Sequence, residues 1–353
     1  MLKNHKTFLS LGFLAFALLL SVSVLARVIP ANDTTFHYQG RIDFSNSSAP
    51  VVVWQASIVA IEFSGPKLQL GFSGLEGQAY FDAEIDGVTY LLKGQNGWIE
   101  SPVKLDDGWH SITLFKRNEA STGHIAFKGI KIDNREKTKR PQTKDYTTRF
   151  IFYGDSITVG ACNEDEPTAD QWSDYSTHNN AKSYATLVAN AFDADFRNIA
   201  ISGIGISVGY QPYTVDKVWN RYYPDPTSEI AKPSYFKPDV VFVNYGENDD
   251  SFSKNNNMEF PADYASRYIE QVKRLRTTYP NSKIVILRGG MYGGAKSERL
   301  IKPWEKVVAA LEATDENIYH YVFKHWHNLH PRVKNHKIMA DELVVWLKQK
   351  NWF

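Results

Sequence analysis

Cysteine is almost absent from this 353-residue sequence, with Cys162 standing alone. One thiol excludes an intramolecular disulfide framework and any zinc site built on several cysteines, so stability must come from packing. Charge of one sign is lacking too. Forty Lys and Arg stand against 39 Asp and Glu, a formal +1, which argues against a nucleic-acid partner held on a broad basic face. Internal repeats and low-complexity tracts are missing, and 22% charged with 43% hydrophobic residues excludes disordered, collagenous and polytopic membrane chains. Aromatic residues, by contrast, are plentiful: nine Trp, 19 Tyr and 20 Phe. Such an excess fills a β-sandwich core or lines a site for a ligand with apolar faces, and composition does not choose between them. The length suggests two domains, each with a sizeable core.

The N-terminus carries Lys3 and Lys6, then an apolar run from Phe8 to Ala26 that ends in small residues. A basic segment, an apolar segment and the Val24-Leu25-Ala26 exit predict a secretory signal peptide over residues 1–26, cut after Ala26. The competing reading is an uncleaved anchor, for which the run is short. No cysteine near the cut provides for a lipid anchor. Cleavage predicts a secreted or periplasmic protein of net charge −1, with no stable membrane insertion.

The rest divides into two halves of different periodicity. From Phe36 to Asp133 apolar residues alternate with polar ones, as in Leu68, Leu70, Phe72 and in Phe81, Ala83, Ile85. Turn signals punctuate them at Ser64-Gly65-Pro66, Asp86-Gly87, Asn96-Gly97 and Asp106-Asp107-Gly108. This predicts a β-sandwich over 28–136, with Phe63, Phe72, Phe81, Phe115 and Phe127 in its core. The polar, basic stretch 137–149 reads as a linker. In 150–353, apolar strand-like runs (150–153, 199–201, 240–243, 284–287, 318–323) alternate with helical stretches (183–192, 262–278, 298–313, 336–347). That order predicts an α/β domain with a parallel sheet covered on both faces, whose ligands sit beyond the carboxyl ends of the strands.

Four short blocks fall at those ends: Gly154-Asp155-Ser156-Ile157, Ser202-Gly203, Gly246-Glu247-Asn248-Asp249 and His330-Pro331. A serine, an amide beside a glycine, an asparagine amide and a histidine can converge on one carbonyl carbon as nucleophile, oxyanion donors and base. The sequence here resembles the SGNH, or GDSL-type, hydrolase superfamily, named for such residues. The runs Leu114 to Ala120 and Gly123 to Gly129 resemble the N-terminal jelly-roll module of carbohydrate esterase family 2. The resemblance implies a jelly roll followed by a flavodoxin-like three-layer α/β domain. It implies a serine esterase that removes O-acetyl groups from polysaccharides or oligosaccharides such as xylan and glucomannan, without metal or organic cofactor. Ser156 would be the nucleophile and His330 the base. The Ser156 and Gly203 amides and the Asn248 side chain would form the oxyanion hole, with Gly205 an alternative second donor.

The superfamily usually carries an aspartate two or three residues before its histidine. Here those positions hold Asn328 and His327, so Asn328, His327 or a backbone carbonyl is expected to orient His330. The cluster of His325, His327 and His330 invites a metal reading, but Leu329 stands where a binuclear zinc pattern needs Asp. The acidic stretch of Glu164, Asp165, Glu166, Asp170 and Asp174 does not follow a calcium-loop spacing and reads as a solvated loop. Trp172, Tyr175, Tyr292 and Trp326, on loops beside the expected nucleophile and base, are candidates to stack on a sugar. Two rival functions remain: a lipase or general acyl-ester hydrolase of the same superfamily, and a carbohydrate-binding protein with an impaired active site.

Overall fold

The computed structural model describes residues 26–232 and 235–353. The signal-peptide reading, apart from Ala26, lies outside them. Among the described residues no helix is long and apolar enough to cross a membrane.

Residues 26–139 form two six-stranded sheets. One is built around Gly123–Asp133, which pairs antiparallel with Gln69–Gly77 and with Ala26–Pro30. The other is built around Trp109–Lys116, antiparallel between Ile58–Ser64 and Tyr80–Ile85. Period-two alternation sends one face of each strand inward. The inner faces meet through Phe63, Phe72, Phe81 and Phe127, with the Phe72 and Phe81 rings stacked at 5.6 Å. Phe115 departs from expectation. Ile112 and Leu114 take the inward positions on its strand, so Phe115 points out of the sandwich and packs on the second domain. The stretch expected as a linker also begins differently, because Thr138–Lys139 adds an edge strand to Ile58–Ser64.

The second domain holds a five-stranded parallel sheet in the order Asp195–Ala200, Arg149–Gly154, Val240–Asn244, Lys283–Arg288, Ile318–Val322. Its strands are apolar on both sides because helices cover both. Ile151, Tyr153, Val241 and Val243 face the helices Tyr264–Thr278 and Glu298–Glu312, whereas Phe150, Phe152 and Phe242 face Tyr184–Ala191 and Val333–Lys350. The chain starts at Arg149–Gly154 and adds its next strand on one side and the remaining three on the other. The carboxyl end of that first strand is therefore the topological switch point, where such sheets open a crevice. Ser156 lies two residues beyond it.

The two domains share a core. Trp54, fully buried, belongs to the same apolar cluster as Tyr153, Val243 and Trp219. Its indole Nε1 donates to the Tyr222 carbonyl at 2.7 Å, and the Arg41 guanidinium lies 5.4 Å from its ring. Gln55, also buried, donates to the Ala200 carbonyl at 2.8 Å and accepts from the Ala120 amide at 3.3 Å. A buried amide in an apolar seam is costly unless bonded, so these contacts fix the docking geometry. Trp54→Ala should destabilise the protein by about 3–5 kcal/mol, since it empties the largest side chain of the seam. A thermal or urea unfolding curve within error of wild type would refute the shared core.

Candidate active site

Ser156 opens the short helix Ser156–Val159, capped by Asp155, whose carboxylate accepts from the Ile157 amide at 3.0 Å. The turn that aims the serine requires Gly154, because a Cβ there would meet Thr158 Oγ1 at 2.1 Å. Ser156 is nearly buried. Its Oγ lies 2.8 Å from His330 Nε2.

The other ring nitrogen of His330 meets Asp170, with Nδ1 2.7 Å from Oδ2. This corrects the expected orienter. Asn328 is exposed, and His327 turns its Nδ1 to the Leu329 amide at 3.2 Å, so neither serves His330. The carboxylate comes instead from a position 160 residues earlier in the chain. Asp170 has a second anchor, Arg332, whose Nη1 donates to Oδ1 at 2.8 Å. The same guanidinium donates to the carbonyls of Glu166, Ala169 and His330. Burial works against the Asp170 charge, but the bond and charge of His330 and the Arg332 guanidinium outweigh it and hold the carboxyl well below the usual range. An ionised Asp170 accepts from Nδ1–H, which leaves Nε2 free to accept the Ser156 hydroxyl proton.

Gly203, at φ +78°, lines the same cavity as Ser156. Its carbonyl accepts from the Tyr210 amide at 2.8 Å, and the preceding Ser202 carbonyl accepts from Gln211 Nε2 at 2.7 Å. In a trans peptide the carbonyl and N–H point opposite ways, so Gln211 turns the Gly203 N–H away from itself. Among the described residues neither the Ser156 nor the Gly203 amide donates to a protein acceptor. Asn248 Nδ2 donates one proton to the Ile204 carbonyl at 2.9 Å and keeps a second. Gly203, not Gly205, lines the cavity. The loop after Gly203 is shaped by buried Asp249, which accepts from the amides of Ile206, Ser207 and Val208. Burial pushes the Asp249 carboxyl up to about 6 despite those bonds.

Ser156, Gly203, Asn248 and His330 border a cavity of about 490 Å³. Of the four aromatic candidates, Trp172 and Tyr175 line it, and the Trp172 ring stands edge-on to His330 at 5.1 Å. Tyr292 and Trp326 instead pair with each other at 6.1 Å beyond the lining. Sequence reasoning missed Tyr210 and the wall given by the β-sandwich, Glu119, Ser121 and Thr122. Of the acids read as a solvated loop, Glu166 is exposed and the others are engaged. Glu164 pairs with Arg117 of the sandwich and with Lys182, Asp174 accepts from Tyr80, and Asp165 accepts from the Gln171 amide. His325 bonds Asn335, away from His330. Cys162 is buried with its sulfur 3.4 Å from His178 Nε2, and burial raises the thiol far above its usual range, leaving it unsuited as a nucleophile.

A serine, a histidine oriented by a carboxylate and donors around one cavity define the class as an ester hydrolase. The chain belongs to the GDSL-like lipase/acylhydrolase family, whose match covers residues 152–338, and residues 38–141 match the carbohydrate esterase 2 N-terminal module. It is 28% identical to an acetylxylan esterase/glucomannan deacetylase of Cellvibrio japonicus, over 94% of this chain and 97% of that one. It is 27% identical to the cellulase/esterase CelE of Acetivibrio thermocellus over 89% of this chain, but spans only 39% of that protein. Among solved structures, a family two carbohydrate esterase from Clostridium thermocellum in complex with cellohexaose superposes with a TM-score of 0.78 at 26% identity, covering 90% of this chain and all of that one.

Asp170→Asn should lower kcat by about 10³–10⁴-fold, the size of loss expected when a base keeps its position but takes the wrong tautomer. Asn328→Ala should leave it unchanged, and the opposite ranking would return the orienting role to Asn328. Because the Asp170 carboxyl is depressed in the fold, its contribution to stability is complete above its unfolded value of about 3.9 and is lost as pH falls toward the lower folded value. Acid unfolding of Asp170→Asn should therefore be less steep in that window.

Proposed function

We propose that this protein is an exported serine esterase that removes O-acetyl groups from a polysaccharide or its oligomers. The observation that carries the reading is the unbroken chain Asp170–His330–Ser156 beside two amides that have no protein acceptor among the described residues. His330 Nε2 takes the Ser156 proton as Oγ attacks the acetyl carbonyl carbon. The developing oxyanion accepts from the Ser156 and Gly203 amides and from Asn248 Nδ2. His330 then gives its proton to the departing sugar hydroxyl. A water deprotonated by the same nitrogen attacks the acetyl-enzyme, releasing acetate and returning the proton to Oγ.

Polar groups in the cavity wall, among them Ser121, Thr122, Gln211 and Ser251, suit a hydroxylated leaving group better than a long acyl chain. Trp172, at the cavity edge and 43% exposed, offers a face for a sugar ring. The relative named as an acetylxylan esterase/glucomannan deacetylase over its whole length, and the neighbour bound to cellohexaose, support a glycan substrate. The Asp170 carboxylate on His330 Nδ1 supports catalysis over the impaired-binder reading.

Acetate release from acetylated xylan or glucomannan is the decisive measurement, with a long-chain p-nitrophenyl ester as comparison. Wild type should deacetylate the glycan and discriminate strongly against the long ester, and Ser156→Ala should abolish both. Preference for the long ester would favour the lipase reading. Equal background from wild type and Ser156→Ala would leave a binding protein.

A further inference from the structure

The proposed oxyanion donor at Gly203 is fixed from two sides, and one of them belongs to the other domain. Gln211, in the catalytic domain, holds the carbonyl of the peptide whose N–H is that of Gly203. The preceding peptide is held by Glu119, whose Oε2 accepts from the Ser202 amide at 2.6 Å. Glu119 stands in the β-sandwich at the head of the turn Ala120–Thr122 and is fully buried, yet it borders the cavity. Its own backbone is pinned: the Glu119 carbonyl accepts from Thr122 Oγ1 at 2.8 Å, and the next amide, that of Ala120, donates to Gln55. Beside it Lys116 is buried with Nζ 2.7 Å from the Asn118 carbonyl, and Asn118 reaches the Gln78 carbonyl and Thr122 Oγ1.

A carboxylate next to a site where negative charge develops would oppose the reaction if it were ionised. Burial raises the Glu119 carboxyl above its usual range, with the bonds from Ser202 and Ser121 and the charge of Lys116 pulling the other way. What the geometry shows this side chain supplying is an acceptor oxygen, placed on the Ser202 amide. A backbone loop left without that acceptor can rotate at Ser202 and carry the Gly203 N–H off its line to the oxyanion, and small misplacements of such donors are expensive in rate.

We propose that Glu119 is a positioning residue for the esterase reaction, a brace through which the β-sandwich sets the Gly203 oxyanion donor. The inference rests on the oxyanion role given to Gly203 under the proposed function. Its test uses the full chain and p-nitrophenyl acetate, alongside the acetylated glycan. Glu119→Ala should lower kcat at least ten-fold with KM within two-fold. Glu119→Gln, which keeps an acceptor oxygen at the same reach, should recover kcat to within about three-fold of wild type. Glu119→Asp, which keeps the acid but withdraws it by one methylene, should behave like the alanine variant. Hydrogen exchange at the Ser202 amide should be faster in the alanine and aspartate variants than in the glutamine variant. Full kcat in Glu119→Ala, equal losses in the glutamine and aspartate variants, or a loss confined to KM would each overturn the brace. Should the alanine variant fail to fold, the glutamine and aspartate pair decides the question. A wild type that hydrolyses neither ester would overturn the function proposed for the site and the brace with it, whereas an active wild type with an equally active Glu119→Ala overturns the brace alone.

Discussion

The Arg332–Asp170–His330 linkage is the constraint on which the site depends. Asp170 sits in the long stretch between the nucleophile helix and Tyr184–Ala191, where only short 3₁₀ turns at Tyr175–Thr177 and Asn180–Lys182 give regular structure. Such a loop has little reason of its own to keep a carboxylate within 3 Å of an imidazole. Arg332, at the head of the last helix, supplies the reason by bonding Asp170 and three carbonyls at once. A planar guanidinium can satisfy several acceptors in fixed directions, a task a lysine could not repeat. On its other flank the loop is tied to the sandwich by Arg117, which pairs with Glu164 and donates to the Ser176 carbonyl. His330 is therefore oriented by a loop that is itself suspended between the C-terminal helix and the N-terminal domain.

That suspension explains the division of labour between the domains. The parallel sheet brings Ser156, Gly203 and Asn248 to one edge because each follows the carboxyl end of a strand. The sandwich completes what the sheet edge cannot. Gln55 bonds the end of Asp195–Ala200, Glu119 bonds Ser202 in the turn that follows, and Arg117 steadies the loop that carries Asp170. These three side chains are buried or nearly so and belong to two segments of one domain. Side chains of the sandwich thus approach the catalytic edge from one direction while the strands feed it from below.

Legibility from sequence follows the range of the interactions. Strands of the parallel sheet are continuous apolar runs, and Ser156, Asn248 and His330 each lie in a short block whose neighbours advertise the turn, so both could be read locally. Asp170 could not, because its partner is 160 residues away and nothing beside it in the chain marks it among five acids of one loop. Reading the orienter from positions next to His330 failed for the same reason: proximity in sequence stood in for proximity in space, while Asn328 is turned to solvent. Glu119 lay inside a segment whose pattern marked the module but gave no sign that its acid reaches another domain. Phe115 was misassigned by one face, since the sandwich strand that carries it is covered on both sides and alternation no longer separates core from solvent.

The shared seam also ties the site to the joining of the domains. The pairings of the sandwich are complete within residues 26–139. Until the parallel sheet forms, Trp54 has no apolar neighbours from Tyr153 or Trp219, Gln55 lacks the Ala200 carbonyl, and Glu119 has no amide to accept. Docking of the two domains buries all three, so the contacts that join the domains are also contacts that shape the site. Two domains that failed to dock would leave Trp54 uncovered and the Ser202 amide without its acceptor.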